Sequence, residues 1–175
     1  MVLAARTLYQ KQGFAGTAFS DVLEKTGAPR GSVYFHFPGG KDQLAREVVE
    51  LHRAATLGWL DRLASASSSA DELLGGFLRA ARDRLVHMEF REGCAIAAVV
   101  VESPLGTTEL ADTAETALTV IGDHLTSLLI ALGETEERAR GRAVATLVAY
   151  EGALIVARAT RNTEAFDAII TAFEV

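Results

Sequence analysis

The stretch TAFSDVLEKTGAPRGSVYFHFPGGKDQL, running from Thr17 to Leu44, decides the fold. Thr17 suits an N-cap, because its hydroxyl can accept a bond from a free N–H in the first turn, and it predicts a helix over Ala18 to Thr26 that Gly27 ends. Pro29 loses nothing at a first helical position, where the missing N–H would be unpaired anyway, so a second short helix is predicted from Pro29 to His36. Phe37-Pro38-Gly39-Gly40 must break it, since proline removes a donor and disfavours helical geometry in the residue before it. Lys41 opens the next helix. Val22, Leu23 and Val33 are the apolar residues placed to lock the two short helices together. Two short helices joined by a tight turn containing glycine have the form of a helix-turn-helix.

On that reading the second helix enters the major groove of a duplex. Its outward residues are Arg30, Ser32, Tyr34 and His36 with Phe35 beside them, a mixture of phosphate-binding, base-edge and thymine-methyl chemistry. Phe35 fits equally a base methyl or the inside of the domain. Lys41 falls in the first turn of the following helix, where the free N–H groups and the positive dipole end also suit a phosphate. Thr17 and Ser20 are candidates for phosphate contact from the first helix of the pair. The bland alternative for all of them is the ordinary solvated surface of a small helical domain. The coincidence of turn chemistry with these residue types favours DNA.

GF-x-x-T at Gly13 to Thr17, the Gly27 turn, and GSVYFHFPGGKDQLA from Gly31 to Ala45 together resemble the DNA-binding domain of the tetracycline-repressor (TetR) family. The extra glycine in FPGGK, the segment GCAIAAVVVES at Gly93 to Ser103, and EGALIVARA at Glu151 to Ala159 resemble the LmrA/YxaF-type branch of that family. The resemblance implies an all-α fold, with an N-terminal three-helix helix-turn-helix DNA-binding domain over 1–46 and a C-terminal helical ligand-binding and dimerisation domain over 47–175. It also implies a homodimeric repressor on a palindromic operator of double-stranded DNA, released by a small-molecule effector.

The 175 residues can bury one substantial core, or a small domain plus a larger one. The net charge of −6 argues against a nucleic-acid binder if taken whole, because duplex affinity comes largely from neutralised phosphates. Its distribution points the other way: residues 1–50 hold six Lys and Arg against five Asp and Glu, while 51–175 hold eleven against eighteen. All three lysines lie in the first part, so a weakly basic head sits on an acidic body. A basic arm preceding the first helix and absent from this sequence would account for the modest excess. Cys94 is the single cysteine, so no internal disulfide calls for an oxidising compartment. Met1 to Leu8 is too short for a signal peptide and carries Arg6, and the longest uncharged apolar stretch, Cys94 to Val101, falls far below membrane-spanning length. A cytoplasmic protein with no membrane partner is expected.

Along the chain, Val2 to Gln12 predicts a helix stopped by Gly13, with Tyr9 and Phe14 as core of the small domain. From Lys41 the series Leu44, Val48, Leu51, Ala55, Trp59, Leu63 keeps a three-or-four-residue spacing for over six turns, a helix long enough to link two domains and to act as the hinge of induction. Ser69-Ala70-Asp71-Glu72 fits a capping box for a helix to about Glu89, with Leu73, Phe77, Ala80 or Ala81, and Leu85 buried and Arg79, Asp83 and Arg84 in water. Cys94 to Val101, apolar all round, predicts a buried helix, and Ser103-Pro104-Leu105-Gly106 a turn. Helices follow over Thr108 to Leu132, Glu134 to Ala159 and Glu164 to Phe173. The apolar middle AVATLVAYEGALIVA needs partners on more than one face, which makes the last two long helices the expected homodimer interface.

Inside the second domain, His124, flanked by Ile121 and Leu125, is a candidate polar group in a ligand cavity that Trp59, Phe77, Met88, Ile96 and Tyr150 could line, although each is as readily plain core. Glu151 sits within an apolar run and needs a partner, either Arg158 or Arg161 of a mate or a ligand hydroxyl. Cys94 at a helix start could be a redox-active thiol or a small buried apolar residue, and the latter is favoured. The histidines are widely spaced singles, so neither a metal site nor a cofactor is expected. A small helical enzyme using the C-terminal pocket, with Glu151 or His124 as base, is the alternative function. No nucleophile-and-base spacing, metal motif or phosphate loop supports it, and no catalytic residue is assigned. The apolar lining favours an aromatic or lipophilic effector.

Overall fold

A computed structural model of the chain describes residues 1–102 and 108–173. Among the described residues there are nine helices and no strand: α1 Val2–Gln12, α2 Phe19–Thr26, α3 Gly31–His36, α4 Gly40–Ser65, α5 Ala70–His87, α6 Ala95–Glu102, α7 Thr108–Ala131, α8 Glu136–Thr160 and α9 Glu164–Phe173. The turn expected at Ser103-Pro104-Leu105-Gly106 lies outside the described residues.

Several helix ends differ from expectation for identifiable reasons. The cap of α2 is Ala18, not Thr17, and Asp21 three residues on accepts the Ala18 N–H at 2.9 Å. Thr17 instead donates its hydroxyl back to the Gly13 carbonyl at 2.7 Å and closes the α1–α2 loop. Ser69 caps α5 by accepting the Glu72 N–H, but Glu72 does not answer to Ser69. Its carboxylate takes the N–H and hydroxyl of Ser68, and the Ser68 N–H holds it below the usual carboxylate range. α6 is helical, yet only Ala95, Ile96 and Val99 are buried while Val100 and Val101 are exposed, so it is amphipathic and not buried all round.

The chain divides into two compact units, with divisions inside α4, between α5 and α6, and inside α7. The first comprises Met1–Ala54 and Gly93–Leu118. Here α1 packs on α2 and on α6. The Gly93 N–H donates to the Gln10 carbonyl at 2.8 Å, and the Gln10 side chain returns a bond to the Gly93 carbonyl at 3.1 Å. At its other end α6 presents Glu102, which accepts the Ala15 N–H at 2.6 Å. Gly13 adopts φ +84, a left-handed conformation that strains any residue with a Cβ, and it lies against the end of the Glu102 side chain. Tyr9 and Phe14 meet edge to face in the core, as expected, with ring centroids 5.5 Å apart. The Cys94 thiol is buried, 3.8 Å from the His52 ring nitrogen.

The second unit comprises Ala55–Glu92 and Thr119–Val175. α5 packs on α8 and α9 and buries Leu73, Leu74, Phe77, Leu78, Ala81 and Leu85, a wider stripe than expected because it has two neighbours to face. Arg82 ties α5 to Asp167 of α9 at 2.8 Å. Arg142 of α8 bridges Asp71 and Glu134. α8 is long and apolar enough, by length and composition, to cross a bilayer, and carries an exposed stripe of Val144, Val148, Ile155 and Val156.

The Tyr9 hydroxyl is buried without a hydrogen-bond partner, and burial, with Asp42 nearby, raises its pKa. Leaving a buried hydroxyl unmatched costs about 1–3 kcal/mol. Tyr9→Phe is therefore expected to raise the thermal midpoint, with a gain of roughly 1 kcal/mol in denaturant titration, whereas Tyr9→Ala loses about 3–5 kcal/mol by cavity formation. A Tyr9→Phe protein less stable than the parent would show that the hydroxyl is bonded after all.

Candidate nucleic-acid interface

α2 ends where Gly27 takes the left-handed conformation, φ 67 and ψ 13, and returns its N–H to the Leu23 carbonyl. A residue with a Cβ would be strained at that bend. The chain then runs through Ala28 and Pro29 to Arg30, which caps α3 in helical geometry. The helix begins at Gly31 and not at Pro29. The Pro29 carbonyl accepts both the Ser32 N–H at 3.0 Å and the Ser32 hydroxyl at 2.6 Å, so its opening turn is a tight three-residue one.

Six residues are far too few for a helix to persist alone, and α3 is held by what it buries. Val33 and, just past its end, Phe37 are buried, as is Val22 of α2, and burial of each is worth about 1.5–3 kcal/mol. The Phe37 ring lies 6.1 Å from that of Phe19. Sequence reasoning missed Phe37, which reads there as part of the Pro-Gly break. It missed Gln43 as well. The Gln43 amide oxygen accepts the Gly39 N–H at 2.9 Å and its amide nitrogen donates to the His36 carbonyl at 3.1 Å, tying the end of α3 to the start of α4.

With Val33 and Phe37 turned inward, the ring-bearing side chains Tyr34, Phe35 and His36 of α3 face solvent. Tyr34 is 83% exposed and Phe35 82%, and Arg30 and His36 are exposed beside them. Of the two places open to Phe35, the inside of the domain is thereby excluded. The Phe35 and His36 rings meet edge to face at 5.2 Å. Ser32 is half-buried and Ser20 is exposed on α2. Lys41 sits on the first turn of α4 with its ammonium donating to the Ala15 carbonyl at 3.2 Å and lying 4.5 Å from the centre of the Phe14 ring. Thr17 is set apart from the others, 2% exposed with its hydroxyl spent on Gly13.

The residues expected to line a ligand cavity divide. Trp59, Phe77 and Tyr150 come together in the second unit, with Trp59–Phe77 centroids at 4.7 Å and Phe77–Tyr150 at 5.1 Å. Met88, at the C-cap of α5, is half-buried, as is Glu151 next to Tyr150. Ile96 belongs to the first unit, with α6. His124 does not point into an apolar interior: its ring nitrogen is 2.7 Å from the Asp61 carboxylate at a partly exposed position, because Ile121 and Leu125 take the buried side of α7. No group of three or more potential metal ligands occurs among the described residues.

Comparison with known proteins bears on both units. Residues 2–48 match the family model for "Bacterial regulatory proteins, tetR family", and residues 71–172 match that for "Transcriptional regulator LmrA/YxaF-like, C-terminal domain". An uncharacterized HTH-type transcriptional regulator of Mycobacterium tuberculosis strain H37Rv is 35% identical, over 97% of this chain and 88% of its own length. The HTH-type transcriptional regulator LmrA of Bacillus subtilis is 28% identical, over 91% of this chain and 85% of its own. Among solved structures, the regulatory protein TetR from Rhodobacter sphaeroides superposes with a TM-score of 0.87 at 19% identity, covering 99% of this chain and 94% of that one. A cysteine mutant of the TetR family transcriptional regulator CifR, complexed with 26-bp double-strand operator DNA, superposes at 0.81 with 17% identity, covering 99% and 92%.

The two bonds from Gln43 make it the clip of the α3–α4 corner. Gln43→Ala is expected to lose about 1 kcal/mol per bond and to speed amide exchange in α3 selectively. Hydrogen exchange followed residue by residue reads this directly, and uniform exchange across the first unit would contradict it.

Proposed function

The chain belongs to the TetR family of bacterial regulatory proteins, in its LmrA/YxaF-like branch, and we propose from that premise that it is a ligand-responsive repressor binding a palindromic operator as a homodimer in the cytoplasm. The matched domains are those of transcriptional regulators and not of an enzyme. The single observation that supports the reading best is the outward face of α3: two fully presented aromatic rings flanked by Arg30 and His36, on a helix whose inward residues leave it no freedom to turn. The contact set is Ser20, Arg30, Ser32, Tyr34, Phe35, His36 and Lys41. Thr17 is assigned to bracing the loop instead. Arg30 and His36 supply donors for base edges or phosphates, Tyr34 a phosphate, and Phe35 a thymine methyl. For Lys41 the neutral Ala15 carbonyl is a partner that a phosphate oxygen would displace.

The mate is placed on α8. Val144, Val148 and Ile155 recur at helical spacing on one exposed face, with Gly141 and Gly152 allowing close approach. This accounts for a helix of membrane-spanning length and composition without invoking a bilayer. The effector is an aromatic or lipophilic compound, and the Trp59–Phe77–Tyr150 cluster is the apolar surface that suits it, with Met88 and Glu151 as further candidates. Its binding acts on the reading heads through α4, a single helix of 26 residues.

Fluorescence anisotropy on genomic fragments tests the function. Arg30→Ala is expected to cost about 1–3 kcal/mol on the preferred site and to erase the difference between sites, while Lys41→Ala weakens all sequences alike and lowers the salt slope by about one unit. Duplex binding insensitive to salt would contradict the reading. For the dimer, Val148→Asp places a charge on the proposed seam, and sedimentation velocity is expected to show monomers where the parent shows dimers.

A further inference from the structure

We propose that two copies of the chain pair through α8 in one register, antiparallel and with the two-fold axis at Val148, so that branched side chains of each copy seat over glycines of the other. This rests on the homodimer reading above and adds the alignment of the two helices, which that reading leaves open.

The position of the axis follows from what α8 buries and from its length. Ala139, Ala143, Thr146, Ala153 and Ala157 turn into the second unit. Successive residues of a helix are about 100° apart, which puts Val148 in the middle of the opposite, exposed side. Val148 is also the midpoint of the helix, which runs Glu136–Thr160. With the axis there, the two helices overlap along their whole length, roughly 37 Å at about 1.5 Å per residue. A strip of that length and one helix wide covers roughly 400 Å², against the roughly 800 Å² that each partner of a stable dimer buries. No overlap can be spared, and the flanks must close as well. An axis one turn further on, at Gly152, would leave about two turns of each helix without a mate.

In this register the surface is complementary to itself. Residues equally far to either side of the axis meet in an isologous antiparallel pair. Gly141 and Ile155 lie seven residues from Val148 on opposite sides, and Val144 and Gly152 lie four. Ile155 therefore meets Gly141 of the second copy, and Val144 meets its Gly152. Val144, Val148 and Ile155 are all more than half exposed in the single chain. A Cβ at either glycine would meet no described atom within 4 Å, and neither glycine has positive φ. The described chain thus gives no reason for glycine at these two places, and glycine weakens a helix interior relative to alanine. Close approach of a second backbone supplies the reason, and it brings the flanks of the two helices into contact. The ends agree in charge. Full overlap lays the acidic first turn, Glu136 and Glu137, alongside the exposed Arg161 at the C-cap of the second copy.

The test uses the full chain and separates the register from the dimer itself. Sedimentation velocity of the parent reports on the dimer. Single cysteines at positions 144, 148, 152 and 155, oxidised with copper phenanthroline, report on the register, and the parent serves as the blank because Cys94 is buried. Val148→Cys is expected to link to its own copy about tenfold faster than the other three, since only a residue on the axis faces itself. An exchanged mixture of Val144→Cys and Gly152→Cys is expected to link across. Gly141→Leu and Gly152→Leu are expected to raise the dimer dissociation constant about tenfold or more with the helical circular dichroism unchanged, because the notch is filled only in the dimer. Fastest self-linking at 144, 152 or 155 overturns the proposal, and so does either leucine variant dimerising as the parent does. A parent that is dimeric but links at none of the four positions overturns it while leaving the homodimer reading standing. A monomeric parent overturns both.

Discussion

A helix of six residues has no stability of its own, and everything outward on α3 depends on the branched and the aromatic side chain that anchor it. Val33 and Phe37 are four residues apart, about one turn, so they enter the core together. Their burial fixes the rotation of the helix about its axis. Once that rotation is fixed, Arg30, Tyr34, Phe35 and His36 can face only solvent or a partner. Gln43 completes the constraint by holding the carbonyl end of α3 and the Gly39 amide at once.

The first compact unit does not end with the helix-turn-helix. Residues 93–118 are grouped with it, and the bonds responsible are few and specific. Gly93 and Gln10 exchange hydrogen bonds at one end of α6, and Glu102 takes the Ala15 amide at the other. Ala15 is also the residue whose carbonyl receives Lys41. The α1–α2 loop is therefore held from α6 on one side and from α4 on the other, and neither helix can shift without a change at that loop. Arg46 of α4, paired with Glu109 of α7, adds a third tie within the same unit.

Most of this was legible in the sequence, because helical spacing and glycine or proline stops are local signals. The eight- and six-residue helices around Gly27, the long α4 and the cap at Ser69 follow from such signals. What was not legible depends on distance in space. Thr17 reads as a cap whose hydroxyl would accept an α2 N–H, yet once the loop closes that hydroxyl donates to the Gly13 carbonyl four residues back. Phe37 reads as part of a break, because proline and glycine follow it, although the break is what turns its ring inward. His124 sits between apolar neighbours in sequence but a single position rotates the side chain by about 100°, enough to carry it from core to the Asp61 carboxylate. Exposed Val100 and Val101 show the same limit, since an all-apolar run of eight residues carries no mark of which side is covered.

The central claim is that α3 is the element a duplex meets. Amide chemical shifts of the labelled protein, followed on titration with a duplex at moderate salt, test it most directly. The account predicts that shifts concentrate in residues 20–41, largest on α3 and on the Lys41 turn, with Tyr34 and Phe35 ring signals moving alongside them. Shifts centred instead on α5 or α8, with α3 silent, would contradict it.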